Sequence, residues 1–230
     1  MAQHKHGDCH SASHNCGGGS MMEELYVHFP YAVFSLAFSI AGVALLNYFS
    51  FGADSSIIKA GSHTLFHTFH FMHVVFAATG AMLTYFRYSK NLVKGIIVGS
   101  VSTIFFCVLS DALLPYVGGR LLGVPMDLHI CFIQDLGNVL PFLIVGMLNG
   151  WVLAQQKEQD QSSYSLWSHF AHIFVSSVAS LLYMVSYGFA DWHNHMGSIF
   201  IMLLGAVVIP CTMSDVVIPL FFAKEGRSRK

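Results

Sequence analysis

Apolar residues along the chain gather into six long blocks that are separated by shorter polar connections. The blocks cover residues 29–51, 63–86, 95–119, 130–155, 166–189 and 195–223. A helix of about 20 mostly apolar residues crosses a lipid bilayer. Three blocks contain a single Asp each, and the other three contain no Asp, Glu, Lys or Arg. The pattern predicts an all-α integral membrane protein with six transmembrane helices.

The positively charged residues predict the orientation of these helices and the division of the chain. Of the 11 Lys and Arg residues, all but Lys59 and Arg120 lie on the side that the two termini share. Because positive residues concentrate on the cytoplasmic side, both termini of this multi-pass protein are predicted to be cytoplasmic. A bacterial inner membrane is the expected location. The expected parts are a flexible tail over 1–20, a membrane domain over 21–223 and a basic cytoplasmic tail over 224–230.

The amino-acid composition limits the kinds of molecule with which this protein is expected to associate. Charged residues make up 10% of the chain, hydrophobic residues make up 54%, and the formal net charge is −1. A soluble domain carries about 25% charged residues, and a nucleic-acid binder carries a basic patch. We therefore expect membrane lipid around the protein and no nucleic acid as a partner. Association with a second copy or with a partner subunit stays open.

A nine-residue motif occurs twice in the chain. Residues 107–115 read CVLSDALLP and residues 211–219 read CTMSDVVIP, so Cys, Ser, Asp and Pro coincide. A His-x-x-His pair precedes each copy, in the second and the fifth block. Three helices per half give the two halves opposite topology, and such inverted repeats occur in transporters that alternate access around a central site. We predict a 3+3 inverted-topology repeat of residues 29–119 and 130–223.

Histidine is unusually abundant, since the 14 His exceed the 11 Lys and Arg. Those in the second block recur every three or four residues, so they share one helix face. Ionisable groups inside a bilayer are costly and are functional candidates, and imidazole is the commonest side-chain ligand of transition metals. The predicted metal ligands of the membrane domain are His63, His67, His70, His73, Asp111, His129, Asp135, His169, His172, His193, His195, Cys211 and Asp215.

These ligands are expected at successive depths, as an ion path requires. The central site is predicted among His67, His70, His73, Asp111 and Asp135, between the outer surface and the middle of the bilayer. Those expected nearer the cytoplasm are His169, His172, Cys211 and Asp215. Those expected at the outer surface are His129, His193 and His195.

The N-terminal tail contains several histidines and cysteines but lacks the apolar residues that a hydrophobic core requires. Its predicted ligands are His4, His6, Cys9, His10, His14 and Cys16. Imidazole and thiolate suit transition metals, and the Gly-rich stretch that follows is typical of a flexible linker. The tail is therefore predicted to collect metal ions on the cytoplasmic side.

The sequence favours a transporter of a transition-metal cation that works by alternating access. The energy would come from the gradient of the ion itself, from a proton gradient, which the histidines and buried aspartates suit, or from a partner ATPase. The mixed N, O and S ligands suit zinc, nickel, cobalt, iron or copper, of which zinc or nickel and cobalt are favoured. A catalytic role is the less favoured interpretation. The alternatives are a membrane redox protein that binds haem through paired histidines, a membrane metalloenzyme, and a transporter of an organic or anionic solute with histidine proton relays.

Overall fold

The computed structural model describes residues 21–50, 52, 54–156 and 158–228, with side chains for all of these except 21–28, 158–169 and 225–228. The predicted metal-binding tail and the side chain of His169 lie outside this description. The nine α-helices found there are α1 Met21–Phe49, α2 Ser55–Tyr88, α3 Leu92–Val108, α4 Leu114–Leu121, α5 Cys131–Gln134, α6 Leu136–Leu153, α7 Glu158–Ser186, α8 Met196–Thr212 and α9 Ile218–Ser228.

Short irregular turns join some of these helices. A π-helical turn over Leu109–Leu113 joins α3 to α4, and another over Met213–Val217 joins α8 to α9. A 3-10 turn over Trp192–His195 precedes α8. The described part of the chain contains no β-strand, so the predicted all-α class is confirmed.

Five stretches of helix are long and apolar enough to cross a membrane, which is compatible with an integral membrane protein. They are Phe29–Phe49, Ser55–Tyr88, Leu92–Leu121, Leu136–Leu153 and Trp192–Lys224. The fifth predicted block falls on α7, whose described apolar part, Phe170–Ser186, is a shorter helix. The sixth span and the 3+3 repeat therefore stay predictions.

Large apolar residues cover much of the outside of the helix bundle, and several polar residues lie within its apolar core. Asp111, Ser176 and Ser180 are fully buried, whereas Phe38 and Ile201 are 62% and 74% exposed. Serine and aspartate are mostly exposed in proteins that lie in water. An apolar surface of this kind suits lipid, and the buried polar groups need partners within the protein.

Helix α2 lies at the centre of the bundle, against α7 and α6. Two glycines of α6 permit the close approach: a Cβ atom at Gly146 would lie 2.6 Å from the carbonyl oxygen of Val75, and one at Gly150 would lie 2.5 Å from that of Thr79. Small residues spaced by four let membrane helices pack closely. This contact holds the start of α6 beside the histidine-bearing half of α2.

Candidate metal centre

Both copies of the repeated motif form a π-helical turn, and the aspartate of each copy lies within the turn. A proline follows each aspartate by four residues and has no amide hydrogen, so it cannot donate to the aspartate carbonyl as an α-helix requires. The wider π turn accommodates the missing bond. Asp111 and Asp215 are both buried.

Serine hydroxyls from neighbouring helices satisfy one carbonyl in each π turn. Ser180 on α7 donates to the carbonyl oxygen of Ser110 at 3.0 Å, and Ser102 on α3 donates to that of Ser214 at 2.9 Å. Non-helical backbone within a membrane needs such partners. The two copies of the motif thus share a backbone shape and the means of supporting it.

The carboxylate of Asp111 accepts four hydrogen bonds. Its Oδ2 atom accepts from Nδ1 of His70 at 2.9 Å and from Nδ1 of His73 at 2.6 Å. Its Oδ1 atom accepts from the hydroxyls of Ser110 and Ser176, each at 2.8 Å. A buried carboxylate is tolerated when its oxygens are hydrogen-bonded in this way. Both imidazoles are thereby fixed with Nε2 pointing away from the aspartate.

The second aspartate fixes a third imidazole. Nδ1 of His172 lies 2.5 Å from Oδ2 of Asp215, and Gly80 makes room for that carboxylate, since a Cβ atom there would lie 2.7 Å from Oδ2. The Nε2 atoms of His172 and His73 face each other at 2.6 Å. Two nitrogen atoms at this distance share a proton, because two lone pairs would repel each other.

Two cysteines complete this group. Sγ of Cys211 lies 3.6 Å from Nε2 of His73, and Sγ of Cys107 lies 3.9 Å from the same atom. The ligand atoms of His73, His172 and Cys211 all lie within 4.8 Å of one another. We call this group the buried centre; its members are His70, His73, Cys107, Asp111, His172, Cys211 and Asp215.

Another group of ligand atoms lies at the partly exposed end of α2. Its members, which we call the peripheral cluster, are His67, His129, Cys131 and Asp135, whose ligand atoms lie within 4.8 Å of one another. Oδ2 of Asp135 is 3.4 Å from Nε2 of His67 and 3.1 Å from Nε2 of His129. Exposed His63 continues the row, with its ring centroid 4.4 Å from that of His67.

The surroundings of the peripheral cluster alter the acidity of its members outside the spans. Burial and the neighbouring charge of His67 lower the pKa of His129. Burial would raise the pKa of the Cys131 thiol, but the neighbouring imidazoles of His67 and His70 outweigh burial and bring the pKa below its ordinary value. Both shifts favour the forms that bind cations, the neutral imidazole and the thiolate.

The structure separates residues that the sequence analysis grouped, and joins others that it separated. The predicted central site is divided: His67 and Asp135 belong to the peripheral cluster, and the other three members belong to the buried centre. His172 and Cys211, expected nearer the cytoplasm, lie against His73. Helix α2 touches both α6 and α7, which explains this arrangement.

Two predicted ligands join neither group. His193 is exposed, and His195 lies beside the ring of Phe189, with centroids 5.4 Å apart. Neither belongs to a set of three or more converging ligand atoms in the part of the chain that the structure describes.

Sequence reasoning missed four residues: the cysteines Cys107 and Cys131 of the two groups, and the serines Ser110 and Ser176 that donate hydrogen bonds to Asp111. Cys107 corresponds to Cys211 in the repeated motif, so the repeat itself could have indicated it. Cys131 precedes Asp135 by four residues, a spacing that places side chains on one face. Ser110 corresponds to Ser214 in the same motif, so the repeat could have indicated it too, whereas Ser176 gave no signal, because serine is common elsewhere in these helices.

Two large cavities lie elsewhere in the protein. One of about 680 Å³ is bordered by α3 and α9, and one of about 690 Å³ is bordered by the end of α1 and the start of α2. Neither is lined by a residue of the buried centre or the peripheral cluster. In comparisons with known proteins, the chain matches no family model, no curated protein and no solved structure.

Proposed function

We propose that this chain is an integral membrane transporter of a transition-metal cation, that it works by alternating access, and that the buried centre is the site through which the cation passes. One observation carries the proposal: two imidazoles, each held by a buried aspartate, present their Nε2 atoms to each other beside cysteine sulfur. Metal-binding histidines almost always donate the other ring N–H to a carboxylate, a carbonyl or water. The aspartates therefore prepare both rings to bind a metal.

The distances fit a tetrahedral ion after a small movement. With metal bonds of about 2.0 Å to nitrogen and 2.3 Å to sulfur, neighbouring ligand atoms lie about 3.3 Å (N–N) or 3.5 Å (N–S) apart. The separation of 3.6 Å between Cys211 and His73 already matches. The two imidazoles, at 2.6 Å, must separate by about 0.7 Å.

Burial of this centre supports transport in preference to storage or surface sensing. Its residues lie deep in a bundle whose exterior is apolar, so a cation can reach them only when the helices move. A cation also competes with the proton that His73 and His172 share. Ligands must lose protons to bind metal, so movement of the cation is coupled to movement of protons.

The proposed architecture has six spans, both termini in the cytoplasm and two halves of opposite topology. The matching π turns and their serine partners support the repeat. The aspartate contacts follow it as well, since His70 and His172, 102 residues apart, each contact the aspartate of their own half. Inverted repeats of this kind place a transport site between the halves.

Haem binding by the same histidines is less favoured by the geometry. Two axial imidazoles on one iron need Nε2 atoms about 4 Å apart, with each metal–nitrogen bond about 2 Å. The Nε2 atoms of His73 and His172 lie 2.6 Å apart and have no space for a porphyrin between them.

Metal flux into liposomes containing the purified full-length chain tests the proposal. We expect uptake of Zn²⁺, Co²⁺ or Ni²⁺, followed by an enclosed metal-sensitive dye, above that of empty liposomes. His73→Ala and Cys211→Ser should reduce the rate at least tenfold. His193 is exposed and belongs to neither group of ligands, so His193→Ala should transport metal at the rate of the parent. A wild-type chain that moves none of these ions contradicts the proposal.

A further inference from the structure

We propose that the peripheral cluster is a distinct, preformed binding site for a divalent cation of the zinc class, with Cys131 as its thiolate ligand. Two imidazoles, one thiolate and one carboxylate suit Zn²⁺ and resemble the ligand sets of known zinc sites. Binding at this site does not depend on the proposed transport. Only its role as the place where a cation is captured before it enters the buried centre rests on the proposed function.

The carboxylate of Asp135 lies near both imidazoles, at separations close to those in a tetrahedral metal site. Nitrogen and oxygen ligands at about 2.0 to 2.2 Å from a metal lie about 3.3 to 3.6 Å apart. The carboxylate of Asp135 is 3.4 Å from Nε2 of His67 and 3.1 Å from that of His129. The peripheral cluster therefore needs little rearrangement, whereas the imidazoles of the buried centre must separate.

Contacts around the cluster hold both imidazoles in place. Nδ1 of His67 bonds to the carbonyl oxygen of His63 at 2.9 Å, which leaves Nε2 to face the carboxylate. The ring of His129 stacks on that of Tyr187, with centroids 5.1 Å apart and planes at 12°. The backbone amide of His129 donates to the Tyr183 hydroxyl at 3.0 Å. Ligands fixed in this way lose less entropy on binding a metal.

The break between α5 and α6 brings the thiol and the carboxylate together. Asp135 leaves the helical conformation, with φ −126° and ψ 31°, while its amide still donates to the carbonyl oxygen of Cys131 at 2.7 Å. One closed turn therefore carries both ligands. The side chains of Asp135, His67 and His129 are 30%, 16% and 15% exposed, so a cation can reach the site from outside the bundle.

Cys131 lies between the two groups of ligands. Its thiol is close enough to His67 of the peripheral cluster and to His70 of the buried centre for both imidazoles to lower its pKa. Nδ1 of His70 bonds to Asp111. A cation bound at the peripheral cluster is therefore one imidazole away from the first carboxylate of the buried centre.

Absorption by bound Co²⁺ tests this site separately from transport. The full-length chain contains five cysteines, and changing Cys9, Cys16, Cys107 and Cys211 to Ser leaves Cys131 as the single thiol. We expect the Co²⁺ that this chain binds at Cys131 to give a thiolate-to-cobalt charge-transfer band, and we expect the band to disappear when Zn²⁺ is added. Because two cysteines of the buried centre are absent, the result does not depend on whether transport occurs.

Variants in this single-cysteine chain identify the remaining ligands. Cys131→Ser should abolish the band, and Asp135→Asn and His129→Gln should each weaken Co²⁺ affinity at least tenfold. His193→Ala is the matched control and should leave the affinity unchanged. Size-exclusion profiles and thermal unfolding identify variants that fail to fold. If Asp135→Asn or His129→Gln fails to fold, His67→Gln is measured in its place. Absence of the band in the folded single-cysteine chain, or unchanged affinity in both Asp135→Asn and His129→Gln, overturns the proposal.

Discussion

Replacing Asp111 with Asn tests whether the buried carboxylate holds the imidazoles of the proposed transport site. Its Oδ2 atom accepts hydrogen bonds from His70 and His73 at 2.9 and 2.6 Å, and Oδ1 accepts two serine hydroxyls. Asn keeps this shape. Its amide oxygen can face the two imidazoles while its NH₂ group faces the hydroxyls, which rotate to accept. The substitution therefore removes the negative charge and little else.

The expected loss of metal affinity follows from the hydrogen bond between Asp111 and His73, the imidazole that lies beside the cysteine sulfur. A hydrogen bond to a charged group contributes about 1.5–3 kcal/mol, and one between neutral groups about 0.5–1.5 kcal/mol. The bond to His73 therefore loses about 1 kcal/mol. A metal bound at Nε2 of His73 draws electron density from this ring, so the metal-bound state feels most of this loss. With about 1.4 kcal/mol per tenfold change, affinity should fall about fivefold.

Co²⁺ titration of the full-length chain measures this change. Cys9, Cys16 and Cys131 are changed to Ser, so the thiolate charge-transfer band reports the buried centre alone. Asp111→Asn should raise the Kd about fivefold. Ser176→Ala is the matched control, since it removes one hydrogen bond to the same carboxylate but keeps the charge and the bond to His73, and it should change the Kd by less than about twofold. Parental affinity in an Asp111→Asn chain with unchanged thermal unfolding would refute the reasoning.

Three further predictions concern other parts of the molecule. Gly80→Ala should destabilise the protein by about 1–3 kcal/mol in thermal unfolding, because its Cβ would lie 2.7 Å from Oδ2 of Asp215, whereas Gly42→Ala, with nothing within 4 Å, should not. Deleting residues 1–20 should lower uptake at low metal concentration more than the maximal rate; abolished uptake with normal expression contradicts this. A reporter that is active only in the cytoplasm should give a signal when it is fused after Lys230. A signal from a reporter that is active only outside the cell would contradict the predicted topology.

Five of the predicted membrane-spanning helices match helices that are long and apolar enough to cross a bilayer, because bilayer thickness imposes a length that hydropathy reveals. The sequence predicted the ends of these helices less well. Helix α2 begins at Ser55, eight residues before the predicted block, because its first turns are polar and hydropathy does not register them. The fourth block was predicted to be continuous from residue 130, but the helix breaks at Asp135. A local change of backbone angles leaves no trace in the hydrophobic pattern.

The sequence predicted the residue types of the candidate site. It did not predict how these residues divide between the buried centre and the peripheral cluster. The helical spacing of the α2 histidines placed them on one face, and their burial increases from exposed His63 to fully buried His73. Which helix faces each histidine depends on packing, and close contact at Gly146 and Gly150 is a property of two helices together. The contact between His73 and His172 also depends on how two helices pack, so the sequence did not reveal it. The prolines indicated a kink but not that it takes the form of a π turn.

The two aspartate–histidine pairs of the buried centre differ at His73, and this difference bears on how a cation would cross between them. An offset of 102 residues relates His70 to His172, and the same offset relates His73 to Val175, which is apolar and buried. His73 therefore has no counterpart in the second half. It bonds to Asp111 through Nδ1 and to His172 through Nε2. The contact between the two aspartate–histidine pairs runs through this one ring, so a cation moving from one pair to the other must displace the bond that His73 makes.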